Sequence, residues 1–207
     1  MSEKLILFDV NDTLINTFET AFLRNDYCVR KLNAPPLNKS EFYDQFGCKT
    51  FEQLIIEWVG LEKYDSFLDI YNHSRFVHKY KSLLLDLDHL TKLIEKGITL
   101  GVVSCTTNSQ LTKKFTEANI PMNTFKHIHC GVNKEKIENI SDFLNSKVLK
   151  KDIYFVGDSI EDYLLSKNMG INFYAVTTGR ISKEKFIKKG CPSEKIFPSI
   201  NEVVLCI

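Results

Sequence analysis

The sequence predicts an α/β fold in which a three-layer core, built on a parallel sheet, carries an inserted helical cap domain. Four apolar, strand-like segments recur along the 207-residue chain, and single helical patterns fill most of the intervals between them. The interval after the first segment is much longer than one helix requires. Alternation of strands and helices is typical of a parallel sheet with helices on both faces, so a Rossmann-like core is expected.

The strand-like segments are short runs of apolar residues. In chain order they read LILFDV, ITLGVVS, DIYFVG and INFYAV, at residues 5–10, 98–104, 152–157 and 171–176. Uninterrupted apolar runs are expected where helices cover both faces of a strand, because neither face then meets water. These four segments therefore predict strands of the core.

The long interval after the first strand contains several amphipathic helical patterns and no comparable strand. Two of these helices begin with capping-box patterns, at Asn38–Glu41 and Thr50–Gln53. About seventy residues are too many for one crossover between neighbouring strands. We therefore expect a core domain made of residues 1–15 and 84–207, and a helical cap domain made of residues 16–83.

Composition and charge are those of an ordinary globular protein. The chain is 43% hydrophobic and 26% charged, and its formal net charge of +1 gives no reason to expect nucleic acid as a partner. No apolar stretch approaches the roughly 18 residues that would span a bilayer, and the N-terminus lacks the pattern of a secretory signal. No membrane partner is expected, and the expected location is cytoplasmic.

The cysteines and histidines form no recognisable metal motif. The six cysteines contain no CxxC pair, so we interpret them as reduced thiols. The segment HIHC, residues 127–130, would place its two histidines on one face of a short strand without a partner cluster. A zinc-type site is therefore not predicted.

Polar residues follow three of the predicted strands at the point where each strand ends. Asp9 and Asn11 follow the first strand, and Ser104 ends the second. Asp158 and Asp162 follow the strand DIYFVG. In open α/β sheets, ligands bind beyond the carboxyl ends of the strands. We therefore expect these side chains to converge on one site.

The residue types at this expected site favour a cation and a phosphate. Neighbouring carboxylates repel each other and are costly to desolvate unless they share a cation. Mg²⁺ typically binds one or two carboxylates and a substrate phosphate, and Asp9 and Asp158 are the natural ligands. Ser104 precedes a strand-to-helix junction, where free main-chain N–H groups and the helix dipole favour an anion.

Four ordered motifs resemble those of the haloacid dehalogenase superfamily. FDVNDTL is similar to its first motif, DxDGTL, and Ser104 in LGVVSCTT matches the second. A lysine in GVNKEKIENI matches the third, and VGDSIED resembles the fourth, the metal-binding GDSxxD. The segments AVTTGR and KIFPSINEVV look like the tail of phosphoglycolate-phosphatase-like members, which carry a helical, C1-type cap. The resemblance implies a Mg²⁺-dependent phosphohydrolase acting on a small phosphate ester.

The resemblance also implies a role for each matched residue. Asp9 would be the nucleophile that forms an aspartyl-phosphate. The implied metal ligands are Asp9, the main-chain carbonyl of Asn11, Asp158 and Asp162. Ser104 would hold an oxygen of the transferred phosphate. The other residues implied in substrate binding are Cys105, Thr106, Lys49 and Lys136.

Lysines are matched less firmly than acids. Lys134 and Lys136 both lie in the third motif, where the family's more usual KPxP is missing, and we favour Lys134 as the catalytic lysine. Lys49 lies between two predicted helices in QFGCKTFEQ, where the family's cap loop reaches toward the substrate. Lys49 would meet a carboxylate or a second phosphate, or else it is an exposed surface residue.

The amide at position 11 departs from the family pattern. Phosphatases of this family have a second Asp there, which protonates the leaving oxygen and then activates water. Asn11 has no proton to exchange near neutral pH, and general acid–base help is typically worth about 10²–10⁴ in rate. Asp12, which replaces the usual Gly, could swing in as a substitute. Turnover is therefore expected to be slow or restricted to good leaving groups.

Three functions remain open at this stage. The first is a Mg²⁺-dependent phosphohydrolase of restricted activity. The second is a haloacid-dehalogenase-like hydrolase, whose members lack the second Asp and need no metal. The third is a phosphate-binding or interaction protein that keeps the fold and the metal site without turnover. The metal-binding pattern GDSIED favours the first function over the second.

Two site residues also have a purely structural interpretation. Ser159 lies three residues before Asp162, so Asp162 could serve the capping of its own helix. Ser104 could cap the helix that follows it. The sequence does not predict the substrate or the oligomeric state.

Overall fold

A fully parallel sheet organises the protein in a computed structural model, which describes residues 4–46, 49–131 and 148–207. Among these residues the sheet has six strands, in the spatial order β3-β2-β1-β4-β5-β6. The strands are β1 (Lys4–Phe8), β2 (Ile98–Ser104), β3 (His127–Cys130), β4 (Ile153–Gly157), β5 (Asn172–Val176) and β6 (Ile196–Phe197). The predicted α/β class with a Rossmann-like parallel sheet is confirmed.

The four predicted strand segments correspond to β1, β2, β4 and β5. The two strands at the edges of the sheet are shorter, with four residues in β3 and two in β6. Segments this short carry too few residues for a hydrophobic pattern to stand out.

Nine α-helices lie among the described residues. They are α1 (Thr17–Lys31), α2 (Lys39–Gln45), α3 (Phe51–Val59), α4 (Tyr64–Val77), α5 (Asp88–Glu95), α6 (Asn108–Glu117), α7 (Ile160–Met169), α8 (Lys183–Lys188) and α9 (Ile200–Cys206). None of these helices combines the length and the apolar character that crossing a bilayer would require.

The chain divides into two units. The core unit is Met1–Asn16 together with Lys81–Ile207, and the helical unit is Thr17–Tyr80. Within the core unit, the N–H of Asn16 donates to the carbonyl of Lys81 at 3.0 Å, and the N–H of Leu83 donates to the carbonyl of Leu14 at 2.8 Å. The segments that leave and re-enter the core are therefore bonded to each other. The domain boundaries given above, at residues 15/16 and 83/84, stay a prediction.

Both faces of the sheet in the core unit are covered. Successive side chains of β1 point to opposite faces, as the period of a strand requires. Leu5 and Leu7 belong to a buried cluster with Tyr163 of α7 and Phe186 of α8. On the other face Phe8 packs edge-on against Phe125, with 6.2 Å between ring centroids. This double burial explains why the strand is apolar from Leu5 to Phe8.

The helical unit has its own aromatic core. Cys28 of α1, Ile55 of α3 and Phe67 of α4 lie at its centre, all fully buried. The expected N-terminal cap of α2 is present, because Asn38 Oδ1 accepts from the N–H groups of residues 40 and 41. Thr50 and Gln53 form the expected capping box of α3.

Candidate active site

Three carboxylates meet at the carboxyl edge of the sheet. One oxygen from each of Asp9, Asp158 and Asp162 lies within 4.8 Å of the other two. Asp9 is only 3% exposed and Asp162 is fully buried, whereas Asp158 is partly exposed. Two of these acids are thus largely removed from water, and the third faces the solvent side.

Strand order explains why these distant residues meet. Strand β1 lies between β2 and β4, at the position where the strand order reverses and a crevice opens in sheets of this type. The N–H of Asp9 donates to the carbonyl of Val156 at 2.9 Å, which keeps Asp9 beside the end of β4. Asp158 follows β4 directly, so the two acids come from neighbouring strand ends.

Asp162 reaches the cluster from the first turn of α7. The hydroxyl of Ser159 accepts from the N–H of Asp162 at 3.1 Å and so caps the helix. The cap uses the main chain of Asp162 and leaves its carboxylate to join those of Asp9 and Asp158. We name these three carboxylates the acidic cluster. A glycine makes room for this carboxylate, because a Cβ on Gly157 would lie 2.6 Å from Asp162 Oδ2.

The donor set fits a hard divalent cation. Three carboxylates so close together, two of them buried, would be strongly destabilised by repulsion and desolvation unless they share positive charge. All the donor atoms are oxygens, which Mg²⁺ and related ions prefer over nitrogen and sulfur ligands. The buried hydroxyl of Thr13, in the loop after β1, has no hydrogen-bond partner among the described residues. A buried hydroxyl without a partner is expected beside a site that receives a polar ligand.

The loop after β1 has a specific backbone shape. Asp12 adopts a left-handed conformation with φ of +55°, which Gly adopts freely and which Asp tolerates better than most residues. The N–H groups of Leu14 and Ile15 both donate to the carbonyl of Val10, closing the turn. Position 12, where the family motif has Gly, therefore holds a conformation that Gly adopts freely, and it adds a buried carboxylate.

The side chain of Asn11 contacts a lysine that the sequence did not indicate. Lys114 of α6 donates from its Nζ to Asn11 Oδ1 at 2.6 Å. Since ammonium groups only donate, the contact atom of the amide is its oxygen, and the amide N–H groups point elsewhere. Lys114 is one of two adjacent lysines and lies 103 positions from Asn11 in the sequence, so no local pattern indicates it.

Ser104 lies at the same carboxyl edge of the sheet as the acids. It is the last residue of β2, which pairs with β1, and it is 1% exposed. Thr107, rather than Ser104, caps α6 through a capping box with Gln110. The hydroxyl of Ser104 lies 3.1 Å from the hydroxyl of Thr106 and accepts from the N–H of Thr106 at 3.3 Å. The structural interpretation of Ser104 as a helix cap therefore does not hold.

The other lysines predicted for the site are Lys49, Lys134 and Lys136. Lys49 belongs to the helical unit, where its Nζ pairs with Glu57 at 2.5 Å. Lys49 also lines a cavity of about 280 Å³, together with Phe46, Phe51, Leu54 and Tyr71. Lys134 and Lys136 lie outside the described residues, so the choice between them stays a prediction.

Alkylation of the cysteines tests whether Cys105, which follows β2, lies in the substrate site. Burial raises the pKa of Cys28 to about 12 and also raises the pKa of Cys191, so neither forms a thiolate at neutral pH. Cys105 and Cys206 are exposed. We expect iodoacetamide at pH 7.5 to label Cys105 and Cys206 and to spare the two buried thiols, as read by peptide mass spectrometry.

Because Cys105 is adjacent to Ser104, its alkylation is expected to lower the phosphohydrolase activity that the motifs imply by at least about 10-fold. Vanadate should protect both the thiol and the activity. The control is Cys206→Ser, which removes the other cysteine that is exposed among the described residues and should be inactivated equally. Full labelling of Cys105 without loss of activity would place this residue outside the substrate site.

Comparison with known proteins identifies the family. The sequence matches the family model described as haloacid dehalogenase-like hydrolase over residues 6–176. Comparison with curated protein sequences gave no significant match.

Solved structures share the fold over nearly the whole chain. A protein from Thermotoga maritima assigned as a β-phosphoglucomutase has a TM-score of 0.78 at 14% identity, covering 98% of this chain and 97% of that one. A protein from Haemophilus somnus assigned as a phosphoglycolate phosphatase has a TM-score of 0.73 at 18% identity, covering 100% and 98%. A protein from Clostridium difficile assigned as a phosphatase has a TM-score of 0.72 at 20% identity, covering 99% of both chains.

At these identities the structural likeness establishes the fold, and the family follows from the sequence match. The match extends from β1 through β5 and therefore includes the segments that carry Asp9, Ser104 and Asp158. This chain belongs to the haloacid dehalogenase-like hydrolases.

Proposed function

We propose that the protein is a Mg²⁺-dependent phosphohydrolase that acts on a small phosphorylated metabolite through an aspartyl-phosphate at Asp9. The observation that carries this proposal is the acidic cluster, in which Asp9, Asp158 and Asp162 each bring an oxygen within 4.8 Å of the others. Ser104 ends the adjacent strand at the same edge. A cation site beside a buried hydroxyl is suited to a phosphate group.

The residues that would hold the Mg²⁺ are Asp9, Asp158, Asp162 and the main-chain carbonyl of Asn11. When bound, the ion neutralises charge on the phosphate and so reduces its repulsion of an attacking carboxylate. Asp158 and Asp162 contribute by fixing this charge next to Asp9. Without a cation, the three carboxylates would repel any anionic substrate.

In the first chemical step, an oxygen of Asp9 would attack phosphorus while the bond to the leaving oxygen breaks. The electron pair of that bond leaves with the alcohol or other leaving group, and a phosphoryl–aspartate bond forms. In the second step, the oxygen of a water molecule attacks phosphorus while the bond between phosphorus and the Asp9 oxygen breaks. The water's proton passes to solvent, inorganic phosphate leaves, and the carboxylate of Asp9 is restored. The hydroxyl of Ser104 would donate a hydrogen bond to a phosphate oxygen in both steps.

Position 11 restricts the range of substrates. The amide of Asn11 offers no acidic proton, and its oxygen already accepts from Lys114. A leaving group that departs as a stable anion needs no protonation, whereas an alkoxide does. Aryl and acyl phosphates are therefore the proposed better substrates, and simple alkyl phosphates the poorer ones.

The acidic cluster favours this function over the two alternatives. A dehalogenase that attacks carbon gains nothing from two further carboxylates packed against its nucleophile. A protein that only binds phosphate would not need a buried carboxylate next to the phosphate, where it repels the ligand. Both features have a purpose if Asp9 attacks phosphorus beside a bound cation.

We further propose that the helical unit serves as a cap that contributes to substrate selection. Its cavity combines three aromatic rings with Lys49, so it suits a partly apolar group that carries negative charge. Because Lys49 already pairs with Glu57, an anionic ligand would have to compete with that carboxylate.

The experiment that tests this function is a phosphate-release assay over aryl, acyl and alkyl phosphates, with and without Mg²⁺. We expect release that requires Mg²⁺, is abolished by EDTA and is restored by added Mg²⁺. Mg²⁺ and phosphate binding without release would favour a binding protein. Halide release from 2-haloacids without metal would favour a dehalogenase.

A further inference from the structure

The loop that follows β5, residues 177–180, contacts both acidic segments of the site. We name this segment the β5 loop; its sequence is TTGR. The hydroxyl of Thr178 donates to the main-chain carbonyl of Asp12, in the loop after β1. The next residue, Gly179, lies against the carboxylate of Asp158, in the loop after β4. One short loop therefore joins two segments that supply the acids.

Gly179 is constrained by space rather than by backbone conformation. A Cβ at this position would overlap Asp158 Oδ2 and would lie 2.7 Å from its Cγ. Gly179 is not among the residues with positive φ, so an alanine there could adopt the same backbone angles. The absence of a side chain at 179 is thus required only by the present position of the Asp158 carboxylate.

Thr178 keeps the β5 loop in this position. Its hydrogen bond ends on a residue whose carbonyl direction is itself fixed, because Asp12 is buried and adopts the left-handed conformation. The N–H of Asp12 is also held, since it donates to the carbonyl of Ile15 at 2.7 Å. The loop is therefore anchored on a rigid turn one residue away from the close contact with Asp158.

We propose that Thr178 and Gly179 are positioning residues of the metal site: Thr178 anchors the β5 loop on Asp12, and the bare α-carbon of Gly179 leaves the Asp158 carboxylate the space it needs beside Asp9 and Asp162. The inference rests on the proposed function, because it assumes that the acidic cluster binds Mg²⁺. Neither residue touches the substrate in this scheme.

The test measures Mg²⁺ binding alone, by isothermal titration calorimetry on the full chain without substrate. Gly179→Ala is expected to weaken Mg²⁺ binding by at least about 10-fold, because the added methyl group displaces the Asp158 carboxylate. Thr178→Val should weaken it by a smaller factor of roughly 3 to 10, and Thr178→Ser, which keeps the hydroxyl, should restore it.

A glycine elsewhere provides the control for general loss of stability. A Cβ on Gly170 meets nothing within 4 Å, but its φ of +70° disfavours any other residue. Gly170→Ala should therefore lower the melting temperature and leave the Mg²⁺ dissociation constant unchanged. If Gly179→Ala does not fold, the Thr178→Val and Thr178→Ser pair decides the question.

The outcomes separate this inference from the proposed function. Suppose that the wild type binds Mg²⁺ and that folded Gly179→Ala and Thr178→Val bind it with the same dissociation constant. That result would overturn the inference and leave the proposed metal site standing. A wild-type protein that binds no Mg²⁺ would overturn both. Weakened binding in these two variants, with normal binding in Thr178→Ser and Gly170→Ala, supports the inference.

Discussion

Replacing Asp9 by Asn is expected to reduce Mg²⁺-dependent phosphate release by on the order of 10⁴-fold or more. The substitution keeps the size of the side chain but removes the anionic oxygen that attacks phosphorus. It also removes one of the three carboxylates of the acidic cluster, so Mg²⁺ binding should weaken at the same time. Steady-state phosphate release and calorimetric Mg²⁺ binding measure the two effects separately.

The matched control makes the same chemical change on the surface of the helical unit. Asp69 in α4 is exposed, and Asp69→Asn should leave both phosphate release and Mg²⁺ binding unchanged. Radiolabelled substrate adds a direct test, since trapped phosphoenzyme should form in the wild type and not in Asp9→Asn. Phosphoenzyme formation in Asp9→Asn would mean that another residue is the nucleophile.

Restoring a carboxylate at position 11 is expected to help the two chemical steps unequally. In Asn11→Asp, the ammonium of Lys114 would lie next to the new carboxyl group and stabilise its ionised form. An ionised group can activate water for the second step but cannot protonate the leaving oxygen in the first. The single variant should therefore accelerate the turnover of aryl phosphates, for which hydrolysis of the phosphoenzyme is the limiting step. On alkyl phosphates its turnover should rise by less than about 10-fold.

Removing Lys114 as well should allow the carboxyl group at position 11 to stay protonated and to act as a general acid. We expect Asn11→Asp combined with Lys114→Met to raise kcat/KM on alkyl phosphates by roughly 10²-fold over the wild type, within the usual range of general acid–base help. Rapid-mixing measurements with p-nitrophenyl phosphate report the second step, because the wild type should show a burst of product and Asn11→Asp should not.

The adjacent lysine supplies the control for this pair. Lys113 is half exposed and lies 4.0 Å from Glu117, so Lys113→Met in the Asn11→Asp background should behave like Asn11→Asp alone. Equal activity of Asn11→Asp on alkyl phosphates with and without Lys114 would show that this lysine does not govern the carboxyl group at position 11.

The sequence was sufficient for the strands and for the acidic residues because both depend on local patterns. Strands β1, β2, β4 and β5 are apolar runs, and their ends are marked by the polar residues that follow them. Parallel pairing then brings those ends to one edge, so the meeting of Asp9 with Asp158 follows from topology.

Contacts that depend on side-chain direction or on close approach were not predictable in this way. Lys114 is one of two neighbouring lysines, and only the rotation of α6 decides which of them reaches Asn11. Gly179 carries no signal of its own, because its importance depends on the position of Asp158, a residue from another loop. A single sequence does not encode such pairings in any local pattern.

The central place of β1 has a consequence for how the chain acquires its structure. This strand precedes the other described strands in the chain, yet its hydrogen-bonding partners, β2 and β4, begin at Ile98 and Ile153. Pairing over such long separations is slow, because the loop between the partners must close before any bond forms. The apolar strand that leads to Asp9 therefore stays exposed during synthesis until β2 has been made and can pair with it.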